Sequence, residues 1–131
     1  MEVNKTIPML TIDVNPERLR VIKRVTKKII ANPVVNVIIE TVSKESGIPI
    51  IDILEMSRKR EIVTARHLAM YFIKEHTDYS LKKIGSFFSN RDHSTIIHAC
   101  RLVDDYAATD RRYAARLETI KNNFELFVNE V

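Results

Sequence analysis

Only two glycines, Gly47 and Gly85, occur in 131 residues, and this scarcity constrains the fold more than any other feature. A many-stranded β architecture needs a turn-former at nearly every chain reversal, and two glycines with four prolines are too few. The same shortage leaves no glycine-rich loop to cradle nucleotide phosphates, so ATP binding by this chain is not expected. What remains is a set of helices. At 131 residues the chain makes one domain with a real core, and 45% hydrophobic with 29% charged residues is the balance of a soluble globular protein. The longest uncharged apolar run, Val34 to Ile39, contains Asn36 and falls far short of the roughly 20 residues a membrane span needs. MEVNKTIPML has no apolar stretch of signal-peptide length, and the lone Cys100 cannot close an internal disulfide. A cytoplasmic protein is the expectation.

The net charge of +4 is gathered rather than spread. Residues 1–30 hold seven Lys/Arg against three Asp/Glu, and residues 58–101 hold nine against four. The intervening and final segments, 31–57 and 102–131, are acidic, at one against four and four against six. A basic block is most often a solvated face; its leading functional alternative is nucleic acid.

Helix punctuation is explicit. Asn15-Pro16 reads as an N-cap with proline at the first helical position, and Leu19, Ile22, Val25 and Ile29 follow at spacings of three and four, predicting a helix over 16–31. Its other face carries Arg20, Lys23, Arg24, Lys27 and Lys28. Asn32-Pro33 repeats the start signal, and Val34, Val35, Ile38, Ile39 and Val42 run to a stop at Gly47. Pro49 opens a short third helix with Ile50, Ile51, Ile53 and Leu54, and the basic tetrapeptide Ser57-Arg58-Lys59-Arg60 reads as a loop. From Glu61 to His76, Ile62, Ala65, Leu68, Ala69, Phe72 and Ile73 keep helical spacing. Ser80 reads as the cap of a two-turn helix containing Leu81, Ile84, Phe87 and Phe88, and Ser89-Asn90-Arg91 makes a turn. Asp92 caps the next helix, whose buried face is marked by Ile96, Ile97, Cys100 and Val103, leaving His93, Ser94 and Thr95 exposed at its start. A last helix, about 110–128, buries Ala114, Leu117, Ile120, Phe124 and Phe127.

Two helices joined by a tight turn, with polar side chains opening the second, form the helix-turn-helix pattern. A helix that enters the major groove offers its first-turn side chains to base edges, and its free amides favour nearby phosphate. His93, Ser94 and Thr95 suit that role: imidazole and hydroxyls donate or accept, and the threonine methyl can touch a thymine methyl.

The run RDHSTIIHACR at 91–101, with the preceding TDYSLKKIGSFFSN and the upstream SRKREIVTARHLAMYFIKE, resembles the C-terminal DNA-binding domain of the bacterial replication initiator DnaA. The likeness covers about residues 33–128 and leaves the first thirty or so without a counterpart. It implies an all-α helix-turn-helix fold of six or seven helices, of the Trp-repressor and DnaA domain IV type, that binds the short duplex elements called DnaA boxes. By that resemblance Asp92, His93, Ser94 and Thr95 contact bases or their surroundings in the major groove, with Arg91 and His98 beside the backbone. Arg58, Lys59 and Arg60 reach into the adjacent minor groove, where narrow A·T-rich sequence concentrates negative potential. Arg66 adds a base contact, and Lys74, Leu81 and Lys82 lie along the phosphates.

The chain departs from the family pattern at several of these positions. The glutamine that commonly follows the arginine is His67, the paired threonines are Ser94-Thr95, the glycine pair before Arg91 is Ser89-Asn90, and a proline after Leu81 is Lys82. Glutamine bonds adenine bidentately and histidine does not do so in the same way, so the box sequence does not carry over with the fold. The ATPase domain of the initiator has no counterpart here.

Other chemistries fit poorly. His93 and His98 are five apart, about 140° around a helix, and Cys100 falls on the apolar stripe, so a zinc site is not expected. Ser94 and His98 lack an acid and an oxyanion site. Met56, Met70, Phe72, Phe87 and Phe88 read as core, and Tyr71 and Tyr79 carry no assignment. The expectation is a non-enzymatic, nucleoid-associated DNA-binding protein without cofactor or small-molecule substrate, divided into a 1–31 extension and a 32–131 domain. Two versions fit, the excised DNA-binding domain of an initiator and a free-standing protein that occupies such boxes; the second is preferred, because the capped helix of the extension has an apolar face that something, a protein partner included, must bury. The alternative is a protein-interaction or membrane-surface module that has lost specific DNA binding and works through the basic helix.

Overall fold

The computed structural model describes residues 16–55 and 57–130, with every side chain among them except those of 18, 19, 21, 22 and 127–130. The described residues form seven helices and no strand: α1 Pro16–Ile30, α2 Pro33–Ser46, α3 Ile50–Leu54, α4 Arg60–His76, α5 Leu81–Ser86, α6 His93–Thr109 and α7 Arg111–Glu130. An all-α chain is what the missing turn-formers require.

The boundaries follow from the punctuation. Asn32 is extended at φ −125° and Pro33 opens α2, where its missing N–H costs nothing. Gly47 closes α2 at φ 75°, its N–H reaching the Ser43 carbonyl at 2.9 Å. The Ser80 hydroxyl accepts from the Lys83 amide at 3.1 Å and starts α5. The Asp110 carboxylate accepts from the amides of Arg112 and Tyr113, so α7 follows α6 with a single residue between.

At the centre lies α4, packed on α2, α3, α5 and α6, while α7 lies across α2 and α6. Phe72 and Ile73 of α4, Ile38 and Ile39 of α2, Phe88 after α5, Ile96 of α6 and Phe124 of α7 are all buried. Helix α1 packs on α2 and α3, and Val25 and Ile29 enter the common core. The described part of the extension's apolar face, Val25 and Ile29, is therefore buried against the chain's own helices. Where α1 turns into α2, Asn32 and the Tyr79 hydroxyl exchange hydrogen bonds at 2.8 and 3.0 Å, with the Lys83 ammonium 4.0 Å from the ring centre.

Some local expectations need correction. Arg60 is the first residue of α4 rather than part of the loop. Helix α5 ends at Ser86, and Phe87 and Phe88 turn inward from the segment that follows. Ile97, expected on the buried stripe, is 38% exposed: one residue past Ile96, it is rotated about 100° off the packed face. Thr95 is half-buried, as are Ala114 and Leu117. The expectations for Met56 and for the side chains of Leu19, Ile22 and Phe127 lie outside the described residues.

Candidate nucleic-acid interface

The turn between α5 and α6 is built on close backbone approach. The Arg91 amide donates to the Gly85 carbonyl at 3.1 Å, and a Cβ added at Gly85 would collide with the Arg91 carbonyl. Glycine is required there by space. Ser89 and Asn90 are both left-handed, at φ 61° and 58°, which explains why glycines suit these two positions in the family pattern. Asn90 tolerates this conformation, and the Ser89 hydroxyl is anchored on the Leu54 carbonyl at 2.7 Å.

The first turn of α6 is organised by one carboxylate. Asp92 Oδ1 accepts from the Thr95 amide at 3.0 Å and from the hydroxyls of Ser94 and Thr95 at 2.9 and 3.0 Å. Those bonds, led by the Thr95 amide, hold the Asp92 carboxyl below its ordinary range. His93 and Ser94 project into solvent, and with Lys82, Asn90, Arg91 and Asp92 they line one open recess.

Beside this turn runs the basic loop, whose backbone is held from two sides. From α4, Arg66 sends Nε to the Ile53 carbonyl at 2.7 Å, Nη2 to Asp52 at 3.0 Å and Nη1 to Ser57 at 3.0 Å. From the turn, Arg91 Nη2 donates to the Glu55 carbonyl at 2.9 Å. Arg58 and Lys59, together with Arg60 at the start of α4, remain exposed. The base contact expected of Arg66 is not offered by this arrangement, because the side chain is 2% exposed and its guanidinium is turned inward onto three carbonyls. Burial, then the neighbouring Arg91 charge, pulls its pKa down to about 10, which leaves it a cation at neutral pH.

The remaining expected residues spread outward from this junction. His67 on α4 is half-buried and meets exposed His98 of α6 edge to face, ring centres 6.4 Å apart. Burial, then His98, Arg66 and Arg91, lowers the His67 pKa to about 4, so its ring is neutral at pH 7. Lys74 is exposed about two turns along α4 from His67, on the same side of the helix. Leu81 is half-buried and Lys82 exposed at the start of α5. The face thus combines exposed cations with imidazole edges and hydroxyls, a pattern complementary to a polyanion that displays hydrogen-bonding edges.

A family model described as the helix-turn-helix of bacterial DnaA protein matches residues 35–103. The chain belongs to that family. Within it, the chain is 39% identical to the chromosomal replication initiator protein DnaA of Bacteroides fragilis over 102 residues, 78% of this chain and 21% of that protein. It is 36% identical to the DnaA of Streptococcus uberis over 121 residues, 92% of this chain and 27% of that one. The chain therefore spans about a fifth to just over a quarter of the length of these relatives. The streptococcal match leaves at most ten of 131 residues outside it, so the DnaA likeness extends beyond 33–128 and into α1.

Sequence reasoning missed the working partners of the loop, which are the carbonyls of Asp52, Ile53, Glu55 and Ser57. The available signal was an arginine, Arg66, directly after Ala65 on the apolar stripe of α4, with no carboxylate three or four residues away.

Proposed function

We propose that this domain binds double-stranded DNA at DnaA-box-like sites, serving replication initiation or its regulation, and that it has no ATPase chemistry of its own. One observation carries the reading: the exposed first turn of α6 and the basic loop are fastened together through Arg91 and Ser89, so a single face offers contacts for two adjacent grooves. In this reading His93 and Ser94 reach base edges in the major groove, with Asp92 and Thr95 holding their geometry. Arg58, Lys59 and Arg60 enter the neighbouring minor groove. Lys74 and Lys82 neutralise phosphates, His98 lies beside the backbone, Leu81 packs along it, and His67 lies next to His98 where the family commonly has glutamine.

The test is a titration of the protein against a labelled duplex carrying a DnaA box and against a scrambled duplex of equal length and composition. The box is expected to bind at least about tenfold tighter, equivalent to roughly 1.4 kcal/mol. Affinity for both should fall with salt at a log–log slope near −0.9 per phosphate contact. His93→Ala should weaken the box by roughly 1–3 kcal/mol and the scrambled duplex much less, whereas Lys74→Ala should weaken both alike. Equal losses on the two duplexes for His93→Ala would remove α6 from the role of reading helix.

A further inference from the structure

The segment that leads into the basic loop is held by side chains at nearly every carbonyl. Asp52 and Ile53 are bonded by Arg66, Leu54 by Ser89, Glu55 by Arg91 and Ser57 again by Arg66. No described hydrogen bond of the Arg66 side chain ends on a carboxylate, and the side chain lies under the surface rather than on it. Filling that space requires only an apolar side chain. A rigid fork of donors does what packing does not: it sets carbonyls at fixed positions. The cation is also kept close to a second cation, Arg91, and both serve the same stretch of backbone from opposite sides.

We infer that Arg66 is a positioning residue for DNA recognition, fixing the reach of Arg58–Arg60 relative to the first turn of α6 without itself touching DNA. This rests on the DNA-binding reading above. It makes the discrimination between a box and any other duplex depend on a side chain beneath the interface. A loop free to shift would still attract phosphates, but it would no longer enter the groove in register with α6.

A double-mutant cycle tests this. Arg66→Lys keeps the charge but replaces the fork with one point donor that cannot span three carbonyls. It is compared with native protein in two backgrounds, the native loop and the loop neutralised as Arg58→Gln, Lys59→Gln and Arg60→Gln. Binding is measured well below the melting temperature, with helicity checked by circular dichroism. With the native loop, Arg66→Lys should weaken the box by about tenfold and the scrambled duplex by less than about twofold. In the neutralised background the further loss on the box should shrink to less than about twofold, because the loop contacts it would misplace are already gone. An equal loss in both backgrounds would mean that Arg66 acts independently of the loop and would overturn the inference. Equal loss on box and scrambled duplex would overturn it as well, reducing Arg66 to a stability role.

A readout in the free protein separates this inference from the DNA reading. Trypsin cleavage after Arg58, Lys59 and Arg60 should accelerate about tenfold in Arg66→Lys while cleavage elsewhere is unchanged, since local opening controls cutting. Unchanged cleavage would overturn the inference even if DNA binding holds, whereas a native protein indifferent to the box would defeat the DNA reading alone. Should Arg66→Lys fail to fold, Ser89→Ala removes one anchor from the opposite side and should give the same pattern at smaller amplitude; additive losses there would count against the inference.

Discussion

At the start of α6 the organising bonds are local: Asp92 reaches Ser94 and Thr95, two and three residues on. In the basic loop the local bonds are the Ser57 hydroxyl to the Lys59 amide and the Lys59 carbonyl to the first turn of α4, while the carbonyls leading to the loop are bonded by side chains 9 to 36 residues away. The two segments meet at Arg91 yet depend on different things. A capped first turn forms wherever its helix forms, whereas the loop takes its shape only when α3, α4 and the turn before α6 are packed together. Specificity is therefore expected to degrade in two stages, with loop contacts failing before the cap.

The largest perturbation breaks the join itself. Gly85→Ala drives a methyl into the Arg91 carbonyl, a collision with backbone that no rotamer relieves, and should cost about 3 kcal/mol by urea unfolding and abolish box preference. A loss under about 0.5 kcal/mol would mean that the turn shifts freely and that the two segments are not rigidly joined.

Asp92→Ala tests the local side alone. It should lower Tm by about 4 °C and weaken the box, while the tryptic pattern of the basic loop stays native. Asp92→Asn should restore most of the Tm, because an amide oxygen still caps the helix.

His67 supplies a pH-dependent comparison between the regions. Its folded pKa of about 4 lies below the ordinary 6.5, so between those values the unfolded chain binds a proton that the native chain refuses. Stability is then lost as pH falls from 6.5 toward 4. Discounted for its partial exposure, the effect should be a fall in Tm of about 3 °C more in the native chain than in His67→Gln over that window. Parallel pH profiles would contradict a neutral, desolvated His67.

The smallest effect is a gain. Asn90→Gly relieves a side chain held at φ 58° and should raise Tm by about 2 °C without altering box preference, which differential scanning calorimetry would detect.

What the sequence made legible follows the same division between local and distant. The caps at Ser80 and Asp92, the prolines opening α1 and α2 and the glycine closing α2 were all readable, because each acts within a few residues of itself. The apolar set of α4 likewise announced the central helix. Arg66 was readable as a cation near the interface but not as a buried fork, since its acceptors are main-chain carbonyls and carry no residue signature. Ile97 reads as core by residue type, but the packed face of α6 is the stripe Ile96, Ala99, Cys100 and Val103, from which Ile97 is rotated away. The apolar face of α1 was legible as something to be buried, but its partners, α2 and α3, lie on other helices that periodicity alone does not pair with it.

The contact between Asn32 and Tyr79 has a practical consequence. The chain has no tryptophan, so its long-wavelength near-ultraviolet signal comes from four tyrosines, and Tyr79 has its hydroxyl bonded to an amide and its ring beneath an ammonium. The unlabelled protein thus carries a built-in optical gauge at the corner between α1 and α2, able to report whether that corner stays seated on the start of α5 when a duplex arrives.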